Sequence, residues 1–295
     1  MILGCLTFVA LVINTLFWFI PLLVAVFLRV IPSKSMLKYS QNIASKASSN
    51  WTAVNNWYIK NILKCNYYGF HEDLDLSVNK TFLVISNHQS WLDIVVLQSV
   101  LYGKVPDLKF FIKDELKWVP ILGIAWWILD FPFMKRYSKA YLKKHPHKQG
   151  CDLEKTKKSC MKFKSIPISL MIFPEGSRFN QEKLSKQKSP YKNLLKPKAG
   201  GIAYSLSILG DQVSSVIDVT IKYERQTPSL WDFMCGKIKR INLSVDQLPI
   251  KESFYFNDYS VNDKTKDDFK QWIDNIWLTK DRLLSNHKDK KTNKN

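Results

Sequence analysis

The sequence has 295 residues, with 44 Lys and Arg against 25 Asp and Glu, a formal charge of +19. Hydrophobic residues make up 46% and there are only 10 Gly and 12 Pro, which excludes collagen-like and low-complexity chains and leaves ample material for a core. So large a positive excess calls for an anionic partner: nucleic acid, a phospholipid surface or a phosphorylated substrate.

Residues 2–28 carry no charged side chain. As a helix they would extend about 40 Å against the roughly 30 Å hydrocarbon core of a bilayer, enough for one span and too little for two. A signal peptide is the competing reading, but nothing basic leads the tract and it outruns the usual h-region. Pro21 either kinks one helix or marks the tip of a shallow re-entrant hairpin. Residues 1–34 therefore read as a membrane anchor, a single span or a monotopic one. Arg29, Lys34, Lys38 and Lys46 follow the tract, and the positive-inside rule then places the rest of the chain in the cytoplasm. The five cysteines agree, since they show neither a Cys-x-x-Cys pair nor zinc spacing and suit a reducing compartment.

Residues 35–65 read as helical, with Trp51, Val54, Trp57, Tyr58 and Ile62 near helical spacing. Residues 67–70, 81–86, 108–113, 166–173, 213–220 and 241–246 read as strands. Between them fall a Trp-rich apolar segment over 118–133, read as interfacial or buried, a basic helix over 152–164 and an apolar helix over 199–209. Residues 263–284 predict an amphipathic helix through Phe269, Trp272, Ile273, Ile276 and Trp277. The Lys- and Asn-rich tail, 286–295, reads as disordered. Strands alternating with helices predict one α/β domain over 35–285, a mixed, partly parallel sheet flanked by helices.

Three motifs carry candidate chemistry. Asn87-His88-Gln89-Ser90-Trp91-Leu92-Asp93 follows the 81–86 strand directly. On an ideal helix Asp93 lies about 140° around from His88; if the first residues are turn, the carboxylate can return to the imidazole, fix its tautomer and stabilise its protonated form. Ser90-x-x-Asp93 is also a helix-capping signature, so both readings of Asp93 stand. Phe173-Pro174-Glu175-Gly176-Ser177-Arg178 follows the strand over 166–173. Pro-x-Gly predicts a turn at the strand edge where α/β sheets place ligands, with Glu175 and Arg178 projecting there, Arg178 towards a phosphate. Phe133-Met134-Lys135-Arg136 ends the Trp-rich segment, as suits a boundary between acyl chains and headgroup phosphates, or a plain snorkelling pair.

Together these motifs resemble the glycerolipid acyltransferases, relatives of 1-acylglycerol-3-phosphate acyltransferase, over roughly residues 50–223. Asn87-His88 with Asp93 matches the family's Asn-His-x4-Asp block, and residues 173–178 match its Phe-Pro-Glu-Gly-(Ser/Thr)-Arg block. Phe133 and Arg136 match the block often written Gly-x-x-Phe-Ile-x-Arg, where Asp130 replaces the glycine; the fourth block's proline is missing from 216–219. The stretch from Phe133 to Ser138, with Ala140, Tyr141, His145 and Pro146, is similar to bacterial inner-membrane members. The resemblance implies an O-acyltransferase that moves a fatty acyl group from acyl-CoA or acyl carrier protein to a lysophospholipid hydroxyl. It makes His88 and Asp93 catalytic, and Phe133, Lys135, Arg136, Glu175, Gly176, Ser177 and Arg178 substrate-binding. It implies no resident cofactor. His145 and His147 are the nearest approach to a metal pair, and nothing near them in sequence completes a site.

The basic runs Lys139–148 and Lys155–164 then serve an anionic leaflet or the donor's phosphates, or are simply a lysine-rich surface. A nucleic-acid-binding protein would leave the uncharged N-terminal tract unexplained, and no zinc-finger or RNA-recognition signature is present. A non-catalytic membrane interaction protein and a remodelling enzyme for another lysophospholipid remain the alternatives.

Overall fold

The computed structural model describes residues 1–70, 73–134, 166–224, 227–256 and 263–285. The chain begins with helix α1 (Ile2–Val30) and helix α2 (Lys34–Asn61). Pro21 does not reverse the chain. Helix α1 runs on through it, losing the hydrogen bond a proline cannot donate, and the turn falls at 31–33, where Pro32 stops the helix. The two helices pack antiparallel on small residues, with Ala25, Ala44 and Ala47 buried. Polar pins run along the seam. Asn14 Nδ2 donates to Trp51 O and to Asn55 Oδ1, Trp51 Nε1 donates to Thr15 Oγ1, and Ser40 Oγ donates to Ala25 O at 2.7 Å. Away from this seam α1 is exposed, including Phe8, Phe17 and Phe27.

Next come strands β1 (Asn66–Tyr68) and β2 (Thr81–Ser86), helix α3 (Leu92–Leu101), and strands β3 (Leu108–Phe110) and β4 (Ile112–Lys113). A 3-10 turn (Asp114–Trp118), helix α4 (Leu122–Ile128) and strand β5 (Phe133–Met134) follow. Beyond residue 166 lie β6 (Ser169–Ile172), α5 (Gln181–Lys186), α6 (Ala199–Leu209), β7 (Val213–Tyr223), α7 (Leu230–Met234), β8 (Arg240–Leu248), α8 (Ser253–Phe256) and α9 (Asp263–Ser285). The six-stranded sheet has the order β1-β8-β7-β2-β6-β3. Every pair is parallel except β7–β8, so the predicted mixed, partly parallel sheet is present.

Strand β2 sits between β7 and β6 and is buried throughout, which explains an apolar run without alternation. Its period of two still sorts side chains between two cores. Phe82 and Val84 pack with α3, while Leu83 and Ile85 pack with α6 and α9. Helix α9 buries Phe269, Ile273 and Trp277 as predicted and adds a buried ion pair, Lys280 Nζ to Asp218 Oδ1 at 2.6 Å.

Two predicted segments divide. Residues 108–113 form two strands, β3 in the large sheet and β4 paired with β5. The Trp-rich segment is part exposed and part buried: Trp118 is 80% exposed and Ile128 1%. Asp130, where the family pattern has glycine, adopts φ 57°, the left-handed region that Asp tolerates better than most side chains. Its carboxylate accepts from Arg29 Nη2 at 2.5 Å, and Arg29 Nη1 donates to Ile128 O, tying the end of α1 to α4. The predicted basic helix over 152–164, both basic runs, His145, His147 and the 286–295 tail lie outside the described residues.

Candidate active site

The carboxyl ends of three neighbouring strands, β7, β2 and β6, meet at one place. Asn87, just past β2, continues the ladder with its side chain: Nδ2 donates to Ile221 O at 2.9 Å, and Ile221 N donates to Oδ1 at 2.8 Å. An amide mimics a strand residue here and fixes where the next residue begins. His88 then opens a tight turn into α3.

Asp93, wholly buried, closes that turn. Its Oδ2 accepts from His88 Nδ1 at 2.9 Å, Gln89 N at 2.6 Å and Ser90 N at 2.8 Å. Its Oδ1 accepts from Tyr223 Oη at 2.6 Å. One carboxylate therefore caps the turn and holds the ring, so the two sequence readings of Asp93 are compatible. Four donors suit the ionised form, which makes Nδ1 the protonated ring nitrogen and leaves the Nε2 lone pair as the basic position. Phe173 stacks on the imidazole, centroids 4.0 Å apart and planes 13° apart.

The second motif forms the predicted turn. Gly176 N donates to Phe173 O at 2.9 Å, and Gly176 has φ 68°, a left-handed conformation that glycine adopts without strain. Glu175 does not project into the cleft beside Arg178. It is fully buried, and its oxygens accept from His88 N and Leu195 N, each at 2.8 Å. The acidic side chain turns inward because those two backbone donors have no strand partner and need an acceptor. Burial pushes its carboxyl up to about 7, against the pull of the two N–H donors. Glu175 is thus a staple joining the two motifs, and Phe179 N to His88 O at 2.7 Å is a second one.

Arg178 is exposed at the rim, its guanidinium 4.9 Å from the Trp91 ring centroid. His88, Trp91, Gly176 and Ser177 line one end of a cavity of about 910 Å³. The rest of its wall is largely apolar, with Trp18 and Phe19 from α1, Trp51 from α2, and Trp126 from α4. Lys113, at the end of the predicted 108–113 strand, is its one Lys or Arg among the described lining residues. A more polar cavity of about 1150 Å³ adjoins it, sharing Ser48, Gln98, Leu129 and Phe131; it is the larger of the two, but His88 does not line it. Phe133 pairs with Ile112 in the small sheet and is not among the residues lining the His88 cavity. Lys135 and Arg136 lie outside the described residues.

Tyr223 lies beyond the predicted 213–220 strand, which in the fold runs on to residue 223. Asn87 was visible only as a motif letter; its clamp on Ile221 joins residues that are distant in sequence.

The arrangement is that of an imidazole held by a carboxylate at one end of a largely apolar cavity. A model of the acyltransferase family matches residues 68–209, a stretch holding both motifs. Among its relatives, 1-acyl-sn-glycerol-3-phosphate acyltransferase 3 of Arabidopsis thaliana is 27% identical over 241 residues, covering 76% of this chain and 58% of that one. The 2-acyl-1-lysophosphatidylinositol acyltransferase of Saccharomyces cerevisiae is 26% identical over 242 residues, 70% and 61% respectively. The chain spans about three fifths of the length of these curated relatives. The crystal structure of the 1-acyl-sn-glycerophosphate acyltransferase PlsC from Thermotoga maritima aligns with 92% of this chain and 97% of its own at 16% identity, with a TM-score of 0.45.

Proposed function

We propose that this protein transfers a fatty acyl group from an acyl thioester, acyl-CoA or acyl carrier protein, to the free hydroxyl of a lysophospholipid of the 1-acylglycerol-3-phosphate type. The observation that carries the reading is His88: its Nδ1 is 2.9 Å from Asp93 Oδ2, and its ring lines an apolar cavity of about 910 Å³. Nε2 takes the hydroxyl proton as the acceptor oxygen attacks the thioester carbonyl. The tetrahedral intermediate collapses with cleavage of the C–S bond, and the leaving thiolate recovers the proton from the imidazolium. Asp93 orients the ring and offsets the positive charge it gains. Arg178 at the rim and Lys113 on the wall are cations suited to the acceptor's phosphate, and Lys135 and Arg136 join them in this reading. The chemistry needs no acyl-enzyme, and the chain has no Gly-x-Ser-x-Gly elbow.

A remodelling role on another lysophospholipid is the second reading, favoured by the similarity to the yeast lysophosphatidylinositol enzyme. The two differ only in the acceptor headgroup.

The protein acts at a membrane surface in this proposal, with α1 buried in one leaflet. Its polar pins to α2 and its Arg29–Asp130 tie would break if α1 crossed the bilayer alone. The basic residues after α1 favour a cytoplasmic catalytic face. A bacterial inner membrane rests on the motif resemblance alone.

The test is transfer from labelled acyl-CoA and acyl carrier protein to a panel of lysophospholipids, using purified full-length protein in lipid. Wild type acylates at least one acceptor, and the largest kcat/KM identifies it. His88→Ala loses about 10²–10⁴-fold in rate while melting like wild type. Full activity in that variant overturns the mechanism.

A further inference from the structure

Asp93 receives donors of two kinds. The amides of Gln89 and Ser90 belong to its own turn and come with the local backbone. The phenol of Tyr223 comes from the end of β7, remote in sequence, and is the one donor to Oδ1 among the described residues. The Asn87 amide pair with Ile221 sets the register that brings this hydroxyl to the carboxylate. Tyr223 is 7% exposed and is not among the residues lining the His88 cavity.

We propose that Tyr223 is a positioning residue for the general base: its hydroxyl draws charge from Asp93 Oδ1 and so limits how strongly the carboxylate favours the protonated His88 ring. The inference rests on the function proposed above. A carboxylate shared among more donors presents less negative charge to each. With Tyr223 in place, the ring keeps its orientation yet releases its proton readily, as a base that must also act as an acid requires. Burial and the neighbouring Asp93 hold the phenol far above its ordinary value, so it remains a donor throughout the working range.

The other titratable groups facing this pair do not mimic the effect. Tyr67 and Cys65 face Tyr223 from the β1 side, and burial raises both, the thiol to about 11, so neither carries charge near neutrality. Glu175 faces Asp93 from the second motif; it titrates near neutrality but is present in both proteins compared.

The experiment compares wild type with Tyr223→Phe, which keeps the ring and removes the oxygen. Two readouts are taken on the full chain in detergent micelles. The first is the NMR titration of the His88 ring, assigned by its loss in His88→Gln. The second is kcat and KM across pH. In Tyr223→Phe the ring titration and the acid limb of kcat both move to higher pH. The rate falls about three- to tenfold near pH 6, the gap narrows above about pH 8, and KM is unchanged. A ring titration identical to wild type overturns the inference, as does a loss that is the same at every pH. Absence of acyl transfer by wild type would overturn the proposed function, while the ring titration would still decide the role of Tyr223.

Discussion

The carboxyl edge of the sheet and the N-terminal hairpin are held in opposite ways. At the sheet edge, buried polar side chains bind backbone: Asn87 to Ile221, Glu175 to His88 and Leu195, Asp93 to Gln89 and Ser90. In the hairpin, small side chains pack closely, a few polar pins set the register, and one ion pair ties it to α4. Hydrogen bonds are directional and costly to leave unmade in the interior, so they fix atoms. Apolar packing fixes volumes and is more tolerant of change. The His88 ring sits in the first kind of structure, and the second supplies Trp18, Phe19 and Trp51 to the wall of the cavity beside it.

Removing the acceptor at the centre of the polar edge gives the largest expected effect. Asp93→Ala should lower kcat about as much as His88→Ala, about 10²–10⁴-fold. Unlike His88→Ala it should also lower the melting temperature, since buried donors lose their partner at about 1–3 kcal/mol each. Parallel kinetics and calorimetry on the two variants check this. Equal stability of the two would mean that the turn does not depend on its polar staples.

The hairpin should respond more mildly. Arg29→Ala removes an ion pair whose partners are 15% and 16% exposed, for an expected loss of about 1–3 kcal/mol, below that of breaking a fully buried pair. Asp130→Gly should lose less, because glycine occupies φ 57° without strain. Thermal melting in lipid measures both, and kcat at saturating substrate should fall far less than in Asp93→Ala.

The smallest effect is one of pH. Glu175 keeps its proton in the folded chain up to about 7 against an ordinary value of 4.5. Protonation therefore favours the fold: its contribution is complete below about pH 4.5 and is lost as pH rises to about 7. Glu175→Gln should be less stable than wild type overall, with one amide N–H facing an N–H₂ group. It should also show a shallower decline in stability across that pH window. Melting curves at several pH values give both slopes, and parallel slopes would remove the titration from Glu175.

How much of this was readable in advance varied with how local the signal was. The bounds of β2 and α6 agree with the predicted ones because an apolar run between polar residues is a short-range pattern. The His88–Asp93 spacing made contact between the two possible but left orientation and capping as alternatives; the fold combines them because one carboxylate has lone pairs enough for both. Glu175 was misplaced because an acidic residue in a turn usually faces water, and sequence does not show two unpartnered amides waiting inside. Residues 108–113 read as one strand, since nothing local marks where a chain leaves one sheet for another. Tyr223 left no local trace at all.

Periodicity, an uncharged tract and two spaced motifs were enough to foresee a long apolar N-terminal helix, an α/β fold and the turn that carries His88, since each depends on neighbours a few residues away. Which oxygen of Asp93 meets which donor, where Glu175 points and how an apolar cavity comes to lie beside His88 depend on strands and helices far apart in the chain. Those contacts exist only once β7, β2 and β6 lie side by side and the hairpin has closed over them.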